Sequence, residues 1–442
     1  MKCISILLLI CALALTKVNA QENRDLTLQQ AVEIVLNQGN NSKIADNKVI
    51  IAKGELNSVK NNLYPDFKIS GQYQYLTGAN VDLKINTSNN EEGDSSSEAP
   101  DVNRLLLGQA NLSMPILSGF KLKNLVKASE NNYKAATFYA KNDKEQITIQ
   151  IIKDFTDLYK SRQAVQLIEE NLISAKQRVK DFTAMEENGL LAKNDLLKAT
   201  IQESTISISL EEAKKNAYIL NYQLVTNLNL PDNTIINISA TDFDVIKNSN
   251  NSEFSNDSIQ RNDLQALHFQ ELAAENQIKV VKSAYYPSIS LVGGYTSLDL
   301  NNALTVTNAM NFGVGISYNI ADIFKTKSDV KVAKSKVKEL QYTLDMTTDN
   351  VKVQIENAQQ EYELSVRKFE VYTKSEEQAI ENYRIVNDKY TNGLVDTNDL
   401  LEADIEQLQS KINVTYSKVD ITQKYYELLA AKGQLTNKFQ IK

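Results

Sequence analysis

The chain has almost no cysteine: two in 442 residues, Cys3 and Cys11. Both fall in an N-terminal stretch with Lys2, an apolar run from Ile4 to Leu15 and the small-residue site Val18-Asn19-Ala20. That pattern is a secretory signal peptide over 1–20 with Gln21 as the first mature residue. A second reading makes Cys11 a lipidated residue, against which stand the bulky Ile10 before it and the apolar run continuing past it. Cleavage after Ala20 leaves no thiol, which excludes disulfides, cysteine metal sites and cysteine nucleophiles. Histidine is equally scarce. His268 is the single one, set in a helical pattern that suits packing or surface exposure. With no glycine-rich phosphate loop, nucleophile elbow or metal constellation, the chain reads as no enzyme, without cofactor or metal. Basic charge is also short: 48 Lys and Arg against 55 Asp and Glu give a formal charge of -7. Nothing in that balance attracts nucleic acid or an anionic membrane surface. Past the leader no apolar run approaches the roughly 18 residues of a spanning helix. Any membrane crossing must therefore use strands in a closed barrel, because only helices and barrels satisfy their backbone polar groups in lipid.

What the chain does have is an internal duplication. Tyr64-Pro65-Asp66-Phe67-Lys68-Ile69-Ser70 returns as Tyr286-Pro287-Ser288-Ile289-Ser290-Leu291, and Asn188-Gly189-Leu190 with Asn194-Asp195-Leu196-Leu197 returns as Asn392-Gly393-Leu394 with Asn398-Asp399-Leu400-Leu401. The repeated unit is far larger than the 20 to 50 residues of a solenoid repeat. The first repeat is assigned to 21–230 and the second to 257–442, joined by a linker over 231–256 that contains Asn248-Ser249-Asn250-Asn251-Ser252.

Each repeat opens with helix. Thr27-Leu28-Gln29-Gln30 reads as a capping box, with Ala31, Val32 and Val35 on the apolar side of the helix it starts. Further helices run from about Ser42 and from Asp263 until Tyr64-Pro65 and Tyr286-Pro287 turn the chain extended. Four segments with a period of two follow, at about 66–76, 105–116, 288–298 and 311–321. In the first, Phe67, Ile69, Tyr73 and Tyr75 alternate with Lys68, Ser70, Gln72 and Gln74, and in the last, Phe312, Val314 and Ile316 alternate with Asn311, Gly313 and Gly315. Each matches the roughly 9 to 11 residues of a membrane-crossing strand. Alternation also marks an ordinary half-buried strand. Four such strands in an exported chain, with aromatics near their ends, favour a lipid-facing barrel. Asn80 to Asn103 reads as an exposed acidic loop, and its counterpart, Asp299 to Met310, as a short one.

About 70 proline-free residues precede each Gly-Leu turn, enough helix to span roughly 100 Å at 1.5 Å per residue. In the second copy Val351, Ile355, Ala358, Tyr362, Ser365, Phe369, Tyr372, Glu376, Ala379, Tyr383, Val386 and Tyr390 step by four and three. A sustained repeat of 3.5 specifies a left-handed coiled-coil seam. The first copy keeps Ile151, Leu158, Val165, Leu172 and Val179 at sevens, with Asp154, Ser161, Arg162 and Glu169 interrupting the companion row. Tip turns over 188–194 and 391–398 send the chain back along second helices, 194 to about 229 and 398 to about 438. Four amphipathic strands cannot close a barrel, and their open edges would face lipid. Two copies would leave an interior filled by side chains, whereas three, with twelve strands, leave room for water.

Carried by Leu26-Thr27-Leu28, Arg261-Asn262-Asp263-Leu264-Gln265-Ala266, Ala284-Tyr285-Tyr286-Pro287-Ser288 and Tyr390-Thr391-Asn392-Gly393 with Asp399-Leu400-Leu401-Glu402-Ala403, the chain resembles the TolC-type outer membrane factor family. Asn262 stands where that family carries proline. The resemblance implies a mainly α fold with a small β part. Four strands per chain would join a trimeric 12-stranded transmembrane β-barrel, continued by a long periplasmic coiled-coil α-barrel. It also implies an outer-membrane exit duct for small molecules or polypeptides, in a tripartite efflux pump or type I secretion system. Its partners would be a periplasmic adaptor and an inner-membrane RND, ABC or MFS transporter. Asp195 and Tyr390 match residues that bond across the closed tip in the family, while Val395 replaces the basic residue that often joins them. Asp399 and Glu402 match the acidic rings of the closed entrance. Asp399 with Glu402 also reads as a capping box, and Asp195 as a first-turn acid favoured by the helix dipole. Gly189 and Gly393 read as turn residues, with Leu190 and Leu394 as adaptor-docking candidates by resemblance. The rival reading is an exported coiled-coil fibre or adhesin, which leaves the duplication and the strands unexplained.

Overall fold

The structure, a computed structural model, describes residues 22–79, 102–243 and 261–441. The expected signal peptide, most of the expected acidic loop and the stretch 244–256 of the expected linker lie outside the described residues. The chain forms two compact units, one from 1–48, 137–265 and 345–442, the other from 49–136 and 266–344. Each unit draws on both sequence repeats, so compactness and duplication divide the chain differently.

The first unit is helical around one core. Strand β1 (Glu22–Asp25) leads into α1 (Leu28–Gln38) and then α2 (Asn40–Asn61). Helix α1 starts where the sequence asks it to. Gln30 N donates to Thr27 Oγ1 at 3.3 Å and Thr27 N donates to Gln30 Oε1 at 3.0 Å, closing the capping box. Its Leu28, Ala31, Val32 and Val35 are buried against Ile151, Ile152, Phe155 and Leu158 of the long α3 (Lys121–Glu187). Leu224, Val225 and Leu228 at the end of α4 (Lys193–Asn227) join the same core. The expected linker is folded at its start. Residues 234–237 form β4 (Thr234–Asn237), paired in parallel with β1, and Ala240–Phe243 make a 3-10 turn that buries Phe243. A four-residue strand is too short to show a period, so nothing local announces it.

Asp154, which interrupts the row beside the sevenfold one in α3, is buried. Its carboxylate accepts hydrogen bonds from Gln150 (2.8 Å), Gln223 (3.0 Å) and Asn227 (2.7 Å). Burial pushes its pKa up, opposed by the bonds from Gln150 and Asn227. A buried polar group needs such partners, and here they tie α3 to the end of α4.

The second unit holds the sheet. Strands β2 (Asp66–Ala79) and β3 (Val102–Ser118) come from the first repeat. After α5 (Asn262–Lys282), β5 (Ser288–Leu300) and β6 (Leu304–Ser317) come from the second, and all four pair antiparallel in the order β2-β3-β5-β6. The last strand differs most from expectation. It occupies 304–317 instead of 311–321, because β5 and β6 pair up to Leu300↔Leu304 and turn through Asn301, Asn302 and Ala303. Asn302, at φ +63, takes a left-handed conformation that asparagine tolerates well. At the other end Asn319 Oδ1 accepts from Ala321 N at 3.2 Å, turning the chain out of the sheet.

Register aligns the alternation of all four strands. Phe67, Leu112, Gly293 and Phe312 lie in one row, and Ile69, Ala110, Tyr295 and Met310 in the next. The intervening row is Lys68, Asn111, Gly294 and Asn311. Over these rows one face of the sheet is apolar from edge to edge and the other polar or small. Phe67, Ile69, Met310, Phe312 and Ile316 are exposed on the apolar face.

Helix α6 (Asp322–Thr391) returns the chain to the first unit, where α7 (Thr397–Ala431) and α8 (Leu435–Phe439) complete it. The seam read from sequence is what α6 withdraws from solvent. Between 374 and 391 Glu376, Ala379, Tyr383, Val386 and Tyr390 are half-buried and every other residue is more exposed. Phe155 sits at the centre of the core with no exposed surface. Phe155→Ala should cost about 3–5 kcal/mol, read as a lowered denaturation midpoint with the helical signal otherwise retained.

Candidate functional site

The two tips are built alike, from the same local chemistry. At the first, Gly189 N donates to Glu186 O (2.9 Å) and Leu190 N to Met185 O (2.8 Å); at the second, Gly393 N donates to Tyr390 O (2.9 Å) and Leu394 N to Lys389 O (2.9 Å). This is the Schellman arrangement, which satisfies carbonyls left free at a helix end. It requires a left-handed residue, and the glycines supply φ +71 and +72. Asn188 and Asn392 each donate from their side chain to the carbonyl four residues back. Leu190 and Leu394, one position further, are 74% and 72% exposed.

The helices that leave the turns start differently. Helix α4 has Ala192 at its N-cap and no side-chain cap, whereas α7 is capped by Asp396. Asp396 Oδ1 accepts from Asn398 N (2.7 Å) and Asp399 N (3.2 Å), and Asp399 Oδ2 accepts from Asp396 N (3.4 Å). The box is thus Asp396 with Asp399, correcting the pairing of Asp399 with Glu402. The helix begins three residues earlier than that pairing requires. Glu402 lies outside the box and is exposed.

Asp195 and Tyr390 do not meet within the chain. Asp195 pairs with Lys198 at 3.3 Å in the first turn of α4, while Tyr390 reaches Thr397 Oγ1 at 3.4 Å and stacks on Phe182 with ring centroids 5.7 Å apart. Tyr390 belongs to a small apolar cluster above the turns, built on Phe182, Ala199 and Leu400 and joined by Val179, Met185, Leu191, Leu196, Tyr383 and Val386. Helices α3, α4, α6 and α7 all contribute to it.

Above that cluster lies a polar layer that the sequence did not reveal. Asp404 of α7 is buried and accepts from Arg178 Nη1 (2.9 Å), Asn171 Nδ2 (3.3 Å) and Gln202 Nε2 (3.4 Å), and Arg178 Nη2 donates to Tyr383 OH (3.4 Å). Burial lowers the Arg178 pKa, but the bond and charge of Asp404 more than offset it and leave the pKa raised. The next apolar cluster up, around Leu172, Ala175, Ile206 and Leu210, draws only on α3 and α4. At this level the two hairpins are joined by the ion pair. A buried pair is a poor source of net stability, yet losing one partner strands a charge. The only signal in the sequence was Arg178 beside the seam residue Val179.

Among the described residues no group of three or more His, Asp or Glu could hold a metal ion. His268 lies on α5, half exposed, 3.7 Å from Glu271.

Two outcomes follow from this geometry. Gly189→Ala or Gly393→Ala, which forces a Cβ into a left-handed turn, should cost about 1–2 kcal/mol each in denaturant unfolding. Asp404→Ala, which leaves Arg178 unpaired, should cost about 3–5 kcal/mol, with part recovered when Arg178→Met is added.

Comparison with known proteins bears on the whole chain. The outer membrane efflux protein family matches residues 256–434. The outer membrane efflux protein BepC of Brucella suis biovar 1 (strain 1330) is 23% identical over 333 residues, which cover 74% of this chain and 71% of that protein. Among solved structures, the CmeC outer membrane channel of Campylobacter jejuni superposes with a TM-score of 0.76 at 18% identity, covering 92% of this chain and 86% of CmeC. The outer membrane protein VceC of Vibrio cholerae gives a TM-score of 0.73 at 13% identity, covering 92% of this chain and 96% of VceC. The second repeat is thus similar to the outer membrane efflux protein family, and nearly the whole chain has the fold of the TolC-like outer membrane channels.

Proposed function

We propose that three copies of this chain close their sheets into one 12-stranded barrel and continue below it as a helical tube, forming the exit duct of a tripartite efflux pump. The carrying observation is the four-stranded sheet, apolar on one face over the rows from Ile289 to Tyr295, with two open edges, β2 and β6. Lipid cannot hydrogen-bond an open strand edge, so the edges need partners of the same kind. Helix α4 supports the same reading. Leu197, Ile201, Ile208, Tyr218 and Tyr222 are exposed along it at successive spacings of four, seven, ten and four residues, a stripe suited to a neighbouring helix. A coiled-coil fibre has no use for such a sheet.

In this reading the tips form the periplasmic entrance. Exposed Leu190 and Leu394 offer apolar contacts to a periplasmic adaptor, which links the duct to an inner-membrane transporter of the RND, ABC or MFS kind. Asp399 and Glu402, both exposed at the start of α7, line the opening as threefold acidic rings that favour cations. Asp195 and Tyr390 then bond between protomers when the entrance is shut.

Fractionation and electrophoresis test the assembly. The protein should be recovered in the outer membrane and run as a trimer in SDS that collapses to one chain on boiling; material shed from cells, or monomeric without detergent, would falsify the duct. Planar bilayers test the rings. Asp399→Asn with Glu402→Gln removes charge while keeping an acceptor at the capping position, and it should lower cation preference and cation block. Unchanged selectivity and block would remove the acidic rings from the proposal.

A further inference from the structure

The net charge of -7 conceals a basic belt at one end of the sheet. Strands β2 and β5 begin at this end and β3 and β6 finish there, as the pairs Asp66↔Ser113, Ser118↔Ser288 and Ser288↔Ser317 require. The junctions at β3, β5 and β6 therefore lie together, and β2 begins on the same side, opposite Ser113. The first three are in close contact: a Cβ on Gly119 would lie 2.7 Å from Ser283 O and 3.0 Å from Tyr286 Cβ, and Tyr318 OH reaches Tyr285 O at 3.5 Å.

Each junction carries an exposed aromatic ring next to lysine, and the two repeats carry them at matching positions. Before the strands stand Lys60 with Tyr64 and Lys282 with Tyr286. After them stand Phe120-Lys121-Leu122-Lys123 and Phe324-Lys325-Thr326-Lys327. The four rings are 69%, 61%, 64% and 79% exposed in that order. Phe120 holds φ +63, a conformation that bulky side chains rarely adopt. Lys60 faces Glu130 at 3.4 Å, whereas Lys121, Lys123, Lys282, Lys325 and Lys327 are exposed and make no ion pair among the described residues. The acids nearby are few. Asp322 is engaged by Asn319 Nδ2 at 2.9 Å, and Asp66 lies at the start of β2.

Aromatic rings settle at the level of lipid headgroups, and unpaired lysines beside them meet the phosphate of those headgroups. We propose that this belt binds the phosphates of anionic glycerophospholipids in the leaflet facing the helical part of the protein. The inference rests on the sheet being a wall of a membrane barrel. The apolar face of the sheet starts one strand residue beyond the belt, at Phe67 and Ile289, so a lipid with its phosphate on the lysines lays its chains along Phe67, Ile69, Ile289 and Leu291. Such a belt fixes the depth of the barrel, and it distinguishes anionic from zwitterionic lipid. Free phosphate shares the headgroup chemistry but brings no acyl chain to that face.

The test uses the full-length trimer extracted from vesicles of equal phosphatidylglycerol and phosphatidylcholine, with the retained lipids counted. The parent protein should retain phosphatidylglycerol in excess by at least about fivefold, the effect of one interfacial lysine. Lys121→Gln, Lys123→Gln, Lys325→Gln and Lys327→Gln together should bring the ratio close to parity, with the heat-sensitive trimer and its conductance intact. Lys325→Glu with Lys327→Glu, a smaller change in sequence, should also lower it. Phe120→Ala with Phe324→Ala should reduce total lipid retained and leave the ratio in place. Equal ratios in the parent and the four-lysine variant overturn the proposal, as does displacement of phosphatidylglycerol by soluble glycerol 3-phosphate. A parent that conducts yet shows no lipid preference defeats this inference alone; one that stays in water without detergent defeats the barrel as well.

Discussion

The governing constraint is the hydrogen-bonding demand of the peptide backbone where no water can meet it. Each N–H and C=O placed in hydrocarbon needs a protein partner. In this chain β3 and β5 have partners on both sides, and β2 and β6 on one side each. The apolar face that suits the sheet to lipid is also what makes its open edges intolerable there. On the proposed reading one chain is not a finished object in the membrane: its two hairpins pair with each other through β3 and β5, and the edges β2 and β6 would pair with further copies.

The helices solve a different problem, since they can satisfy their own backbone at any length. Their packing varies along the axis. The first unit has a dry core around Phe155, an apolar cluster confined to α3 and α4 around Leu172, the ion pair of Arg178 and Asp404, and a last cluster around Phe182 and Tyr390. Apolar packing alone tolerates sliding by a turn, because one aliphatic contact replaces another. A buried carboxylate with three named donors does not. The polar layer thus specifies the register of one hairpin against the other, a use for which buried polar groups are better suited than for stability.

What could be read from the sequence was whatever repeats. The 3.5-residue row of α6 predicted its withdrawn face residue by residue between 374 and 391, because a helix presents side chains with a fixed rotation. Alternation predicted the two faces of the sheet for the same reason, with period two. Single events were illegible. The β1–β4 pair joins two four-residue strands from distant parts of the chain, and nothing local marks either one. At the second tip the capping acid was misplaced by three residues, since Asp396, Asp399 and Glu402 offer two boxes of equal spacing and only the backbone chooses. Asp404 looked like any acid on a helix, and its burial depends on Arg178 in the other repeat. The lysine belt was hidden by averaging, because a whole-chain charge has no geography.

The pairing of Glu22–Asp25 with Thr234–Asn237 has a consequence for biogenesis. A chain delivered from its N-terminal side presents β1 well before β4, whose segment emerges only after both limbs of the first hairpin. Until then the leading residues have no docking place, and parallel pairing over so great a separation is slow to find. The early chain is thus left open to holding factors and to degradation. Closure of this small sheet therefore has to wait for the segment 234–237.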